Sequence, residues 1–120
     1  MSEEIKTETS TEPNTIIHTS DAGVITIFRE PGFYETLLPE TGLLISSVRF
    51  QQGTIPENGT NGTTLEGLIA TAIHRLTELN GKFQSPYNEA ALTGLEQALA
   101  QLNARTADRI ARGVEGAHVV

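Results

Sequence analysis

Three of the chain's eight basic residues stand close together near its C-terminus, in Arg105-Thr-Ala-Asp-Arg109-Ile-Ala-Arg112. At about 100° per helical residue they fall within about 60° of one another, a single strip of guanidinium groups. Such a strip suits phosphate, because each guanidinium offers a planar fork of donors and a charge that does not titrate at cellular pH. Gly113-Val114-Glu-Gly116 follows as a turn in which the backbone can approach a bound molecule closely, and His118 offers a further donor. The plain alternative is helix stabilisation: basic residues complement a helix C-terminus, and Asp108 lies one turn before Arg112.

Other residues could complete a nucleotide site. Asn88 carries both a donor and an acceptor for a base edge or a ribose hydroxyl. Phe50, Phe83 and Tyr87 stand at expected element ends, where an aromatic face could stack on a purine or else pack into the core. Arg49 lies within an expected strand and is the first cation outside the C-terminal strip to consider.

These residues need elements to hold them. Thr15–Thr19 and Val24–Phe28 are β-branched runs on either side of Ser20-Asp-Ala-Gly23, which predicts a hairpin ended by Pro31-Gly32. Leu43–Gln51 predicts a third strand, a fairly buried one. The two Asn-Gly steps at Asn58 and Asn61 predict tight turns. Each is also a glycosylation acceptor pattern, discounted because no secretory leader is legible. Thr63 and Glu66 have capping-box spacing, and Leu65, Leu68, Ile69, Ala72, Ile73, Leu76 and Leu79 repeat behind them at helical intervals, so a helix of about four turns is expected, closed by Asn80-Gly81. Ser85-Pro86 is a cap and first-turn pair for a second helix running to about Arg112. Its apolar seam is expected at Leu92, Leu95, Leu99 and Leu102, continuing into Thr106 and Ile110. The fold class expected is α+β: a small N-terminal antiparallel β-sheet followed by two C-terminal helices, the second long. So long a helix cannot cover its seam with one shorter partner, and self-association is expected.

Composition narrows the function classes. Fifteen acidic against eight basic residues give a net charge of −7, which argues against non-specific binding to DNA or RNA polymers and against a basic membrane-surface protein. There is no cysteine, so disulfides and thiolate chemistry are excluded. No apolar run reaches the roughly 20 residues of a membrane span, and a cytoplasmic protein is expected. Residues 1–14, rich in Glu, Ser, Thr and Pro, read as a disordered acidic tail, and 15–120 as a single domain.

Two blocks, Val48–Gly62 and Arg105-Thr-Ala-Asp-Arg-Ile-Ala-Arg-Gly-Val-Glu-Gly-Ala-His118, resemble the phage Thoeris anti-defence sponges, which are related to the sponges that counter CBASS immunity. The resemblance runs from about Val48 to Val120. It implies a homo-oligomer, dimer-based and up to a hexamer, that binds cyclic ADP-ribose isomers (glycocyclic ADP-ribose) made by Thoeris TIR enzymes in the infected bacterial host. The signal is held intact, so the downstream effector stays inactive. By motif match it implies ligand roles for Asn88 of Tyr-Asn-Glu-Ala-Ala-Leu, for Arg105 and Arg109, and for the turn Gly113 to Gly116. It further implies a second site, for cyclic trinucleotides, where subunits meet, and Arg49 is the candidate there. Two positions depart from the family pattern: Ala117 where threonine is expected, and Gly94 where a bulkier residue is expected.

Rival classes are a sponge for CBASS cyclic di- or trinucleotides, a structural or regulatory phage protein acting through its helices, and a phosphodiesterase. For the last, His18-Thr-Ser20 supplies one His-x-Ser element, but His74-Arg-Leu76 and His118-Val-Val120 lack the hydroxyl, and no metal-ligand spacing is recognisable. The sequence therefore predicts a non-enzyme, without catalytic residues, metal or cofactor.

Overall fold

A computed structural model describes residues 12–113. The expectations for the tail over residues 1–11 and for Val114, Gly116, Ala117 and His118 lie outside the described residues. The chain divides into two compact units, one up to Gln52 and the other from Gly53.

The first unit is a four-stranded antiparallel meander, β1 (Thr15–Thr19), β2 (Ile25–Glu30), β3 (Phe33–Leu37) and β4 (Leu44–Arg49), in the order β1-β2-β3-β4. The expected hairpin is β1–β2. Sequence reasoning passed over β3, although Phe33-Tyr-Glu-Thr-Leu37 is aromatic and β-branched and follows a Pro-Gly turn. Gly32 makes that turn with a φ of +79°, a conformation costly for a side chain. Cross-strand partners share a face. Phe28 pairs with Tyr34 and Tyr34 with Val48, and the rings follow: Phe28 and Tyr34 lie 5.6 Å apart, Tyr34 and Phe50 5.9 Å in an edge-to-face contact. On the other face Glu35, partner of Ile27, accepts from Arg29 Nε at 2.7 Å. Arg29 Nη1 also donates to Asn14 Oδ1 at 3.1 Å, tying the start of β1 to β2. Ile25, Ile27 and Phe28 form the buried core.

The fourth strand corrects an expectation. The stretch beginning at Leu43 was expected to be fairly buried, yet Leu43, Leu44 and Ile45 are each more than half exposed. An apolar run signals burial only when neighbours exist on both sides, and β4 is an edge strand.

The second unit holds α1 (Ile55–Asn58), α2 (Leu65–Lys82) and α3 (Pro86–Ala111). The single-turn α1 was not expected. It starts at Ile55 with Pro56 in its first turn and stops at Asn58-Gly59, where Asn58 Nδ2 donates to Thr54 O at 3.1 Å and Gly59 has a φ of 70°. The cap of α2 is Thr64, not Thr63: its hydroxyl accepts from Gly67 N at 3.0 Å. Glu66, released from the expected capping box, instead accepts from Thr106 Oγ1 on α3 at 3.1 Å. The helix runs through Asn80-Gly81 and closes at Phe83, whose N–H reaches Leu79 O. Asn-Gly does not stop it: the N–H that closes the helix belongs to Phe83, two residues beyond the glycine.

Ser85 caps α3 as expected, accepting from Asn88 N at 3.0 Å, and Arg112 is its C-cap. With Glu66 bonded to Thr106 at one end and Asn80 to Glu89 at the other, α2 and α3 form an antiparallel hairpin. Its seam sets Ile69, Ile73, Leu76 and Leu79 against Leu92, Leu95, Leu99 and Leu102, all half-buried. Beyond Thr106 the seam continues at half-buried Arg109, whereas Ile110, expected there, is 61% exposed. The spacing of three from Thr106 keeps Arg109 on the seam; four carries Ile110 past it. No residue of either helix is buried, so one hairpin leaves its apolar seam partly open to water. No helix among the described residues is long and apolar enough to cross a membrane.

Gly94 lies in the middle of α3, and a Cβ built there meets nothing within 4 Å. Gly94→Ala is expected to raise the thermal midpoint, with a gain of about 0.5 to 1 kcal/mol from helix propensity. A lowered midpoint would show that a second backbone approaches the glycine in the assembled protein.

Candidate functional site

The sequence-predicted residues separate into groups. Phe50 and Arg49 belong to the sheet unit. Phe50 is half-buried, donates its N–H to Gly32 O at 2.7 Å and packs its ring edge-to-face with Tyr34, so its ring is engaged in the sheet. Arg49 is exposed at the end of β4, its guanidinium 4.3 Å above the ring of Phe33. That distance is within the range of a cation–π contact.

The others belong to the helical unit and occupy its two ends. Phe83, Tyr87 and Asn88 surround the connector between α2 and α3. Phe83 is 71% and Tyr87 86% exposed, so neither ring packs into a core. Asn88 is half-buried, and its Nδ2 donates to Phe83 O at 3.1 Å. At the opposite end Arg105 and Arg112 are exposed and Arg109 half-buried. Arg112 Nε donates to Asp108 Oδ2 at 2.9 Å, the ion pair that the sequence spacing allowed. An exposed pair of this kind contributes little to stability and can be exchanged for a phosphate. Gly113, with a φ of +72°, ends the helix in a left-handed turn in which its N–H reaches Ile110 O.

A helix rise of about 1.5 Å per residue separates Asn88 from Arg105 and Arg109 by roughly 25 and 32 Å. Within one chain, then, the arginine strip and the Asn88 end do not come together.

Several residues that hold these ends escape a reading by motif. Asn80 accepts from Ser85 N at 3.1 Å through Oδ1 and donates through Nδ2 to Glu89 Oε2. Glu66 holds Thr106, which lies between Arg105 and Arg109 on the helix. The signal available for Asn80 was a polar residue directly after the last apolar seam position, where a hairpin must satisfy the open backbone groups of two helix ends.

The geometry defines a class: a small α+β protein in which a meander sheet is followed by a two-helix hairpin with polar ends and a partly open apolar seam. Residues 46–107 match the family described as Acb2/Tad1, hairpin domain, and the chain belongs to that family. Over 75 residues, 62% of this chain, it is 48% identical to Thoeris anti-defense 1 of Bacillus phage SBSphiJ7. The matched stretch covers 53% of that relative, so the chain spans about half the length of the curated relative it matches.

Proposed function

We propose that this protein is a non-enzymatic phage anti-defence sponge that binds cyclic ADP-ribose isomers, glycocyclic ADP-ribose in particular, and holds them intact. The relative's name gives it a role against Thoeris defence. The observation that carries the reading is the guanidinium strip at the end of a hairpin of that family, with Arg105 inside the matched segment and Arg109 just beyond it. A diphosphate bridging Arg105 and Arg109 meets two forks whose charge is permanent. The mechanism is mass action: a tight site at high copy number keeps free signal below the level the effector needs.

In this reading the site is shared between copies. A ligand of nucleotide size cannot span the roughly 25 to 32 Å between the ends of one hairpin. Two hairpins packed antiparallel would set the Asn88 end of one against the arginine end of the other, twice over by two-fold symmetry. The half-buried leucine seam and the exposed Leu65, Leu68 and Ile110 supply apolar surface for that packing. Such a dimer is the minimal functional unit, and a hexamer would be built from it. A second site for cyclic trinucleotides would draw on Arg49, which lies exposed over the ring of Phe33.

Titration calorimetry with glycocyclic ADP-ribose tests the reading. Saturable binding at two sites per dimer is expected. Binding of cyclic di- or trinucleotides alone would transfer the protein to CBASS signals, and binding of neither would favour a protein partner. Arg105→Lys is expected to weaken binding about tenfold, since an ammonium group cannot reproduce a two-point fork. Unchanged affinity would mean that only charge matters at this position.

A further inference from the structure

Asparagine followed by glycine occurs at Asn58-Gly59, Asn61-Gly62 and Asn80-Gly81. Such a pair can react with itself. The backbone nitrogen of the glycine attacks the asparagine Cγ, a cyclic imide closes with loss of ammonia, and water then opens the imide to aspartate or isoaspartate. Glycine favours the step because no Cβ obstructs ring closure. Asn58 and Asn61 are both exposed and both are followed by Gly-Thr, so neither local sequence nor exposure ranks them. Their backbones do.

Asn58 is the last residue of α1, and Gly59 N, the nitrogen that would have to attack, donates to Ile55 O at 2.8 Å. The Asn58 amide is held as well. Its Nδ2 donates to Thr54 O at 3.1 Å and lies so close over Gly53 that a Cβ there would come within 2.3 Å of it. Asn80 lies inside α2, with Oδ1 accepting from Ser85 N at 3.1 Å and Nδ2 donating to Glu89 Oε2. A helical ψ holds the following nitrogen out of line with the side-chain carbonyl carbon, so reaction at either position has to await local opening. Asn61 and Gly62 lie between α1 and α2, outside any helix or strand. No helix has to open before that backbone turns.

We propose that Asn61-Gly62 is a self-modification site at which the folded protein deamidates, whereas the fold protects Asn58 and Asn80. Gly62 N is the nucleophile, ammonia the leaving group, and water the only co-reactant. The product carries one more carboxylate on a chain whose net charge is already −7. Where isoaspartate forms, the backbone also gains a methylene, three residues before Thr64, whose hydroxyl caps α2. The reaction thus alters the segment leading into the hairpin and leaves the side chains of the arginine strip chemically unchanged. It stands independently of the sponge reading.

The test incubates the full chain in warm, mildly alkaline buffer, with samples taken over time and each Asn-Gly peptide followed by mass spectrometry. Isoaspartate is confirmed by enzymatic carboxyl methylation. Asn61 is expected to deamidate about threefold faster than Asn58 and at least about tenfold faster than Asn80, because a single turn such as α1 opens more readily than the bonded end of α2. In concentrated urea the three rates should converge, since the ranking belongs to the fold. Asn61→Gln should abolish the fast phase and the matching acidic shift on ion exchange while leaving the thermal midpoint unchanged. Reaction at Asn58 or Asn80 as fast as at Asn61 in the folded chain overturns the proposal. So does a ranking that persists unchanged in urea, or a fast phase that survives in Asn61→Gln.

Discussion

Replacing Arg109 by alanine is expected to weaken binding of glycocyclic ADP-ribose by about a hundredfold, the equivalent of roughly 3 kcal/mol or two charge-assisted hydrogen bonds. Arg109 is the arginine of the strip that the hairpin half-buries. Less water surrounds it than Arg105 or Arg112, so its attraction for a phosphate is less screened and its side chain loses less freedom on binding. Alanine also leaves the phosphate without a partner in a partly desolvated place, and that penalty adds to the lost bonds. Glu12→Ala, in the sheet unit, should leave affinity unchanged. Calorimetry on the two variants decides: equal, small effects would remove the arginine strip from the site.

The second large effect concerns the scaffold. Leu99→Asp places a carboxylate in the middle of the seam, between Leu95 and Leu102 on α3 and facing the apolar side of α2. It is expected to lower the unfolding free energy of the helical unit by about 3 kcal/mol, since apolar burial is lost and a charge is partly desolvated without a partner. Gln101→Asp, on the exposed side of the same helix, should change stability by no more than about 0.5 kcal/mol. Thermal melts followed by far-UV circular dichroism, with sedimentation to measure the assembly, read the contrast. The account requires Leu99→Asp to lose helix and assembly together; a variant with native melting and native mass would mean that the seam joins neither the two helices nor two copies.

What the sequence made legible follows from how local each signal is. Ser85-Pro86 gave the start of α3 because a cap and a first-turn proline act within four residues, and the leucine repeat gave the seam because it needs only helical spacing. Thr63 and Thr64 could not be separated so easily: both are threonines, and the choice depends on which hydroxyl reaches an open N–H. The burial of β4 was misjudged because its neighbours are set by topology, which an apolar run does not reveal. β3 went unassigned although its composition favours a strand, since Pro31-Gly32 was read as an ending when it is also the turn into the next strand.

The site divides in the same way. That Arg105, Arg109 and Arg112 share a strip is helical arithmetic, visible in the sequence. That Arg109 lies on the seam in place of Ile110 depends on the rotation of α3 against α2. The roughly 25 to 32 Å between Asn88 and the arginines was also implicit in helix length, and it is this separation that makes a second copy part of the proposed site. The amide circuit through Asn80, Ser85, Asn88 and Phe83 was not legible, because it joins two helix ends across a connector whose path the sequence does not specify.

The most direct test of sequestration is recovery of the ligand. The protein is mixed with glycocyclic ADP-ribose, freed of unbound ligand by filtration, heated to unfold it, and the released small molecules are analysed. The account predicts that intact glycocyclic ADP-ribose is recovered in proportion to the protein. Recovery of a hydrolysed product would make the protein an enzyme and contradict the account, and recovery of nothing would show that it does not hold this signal.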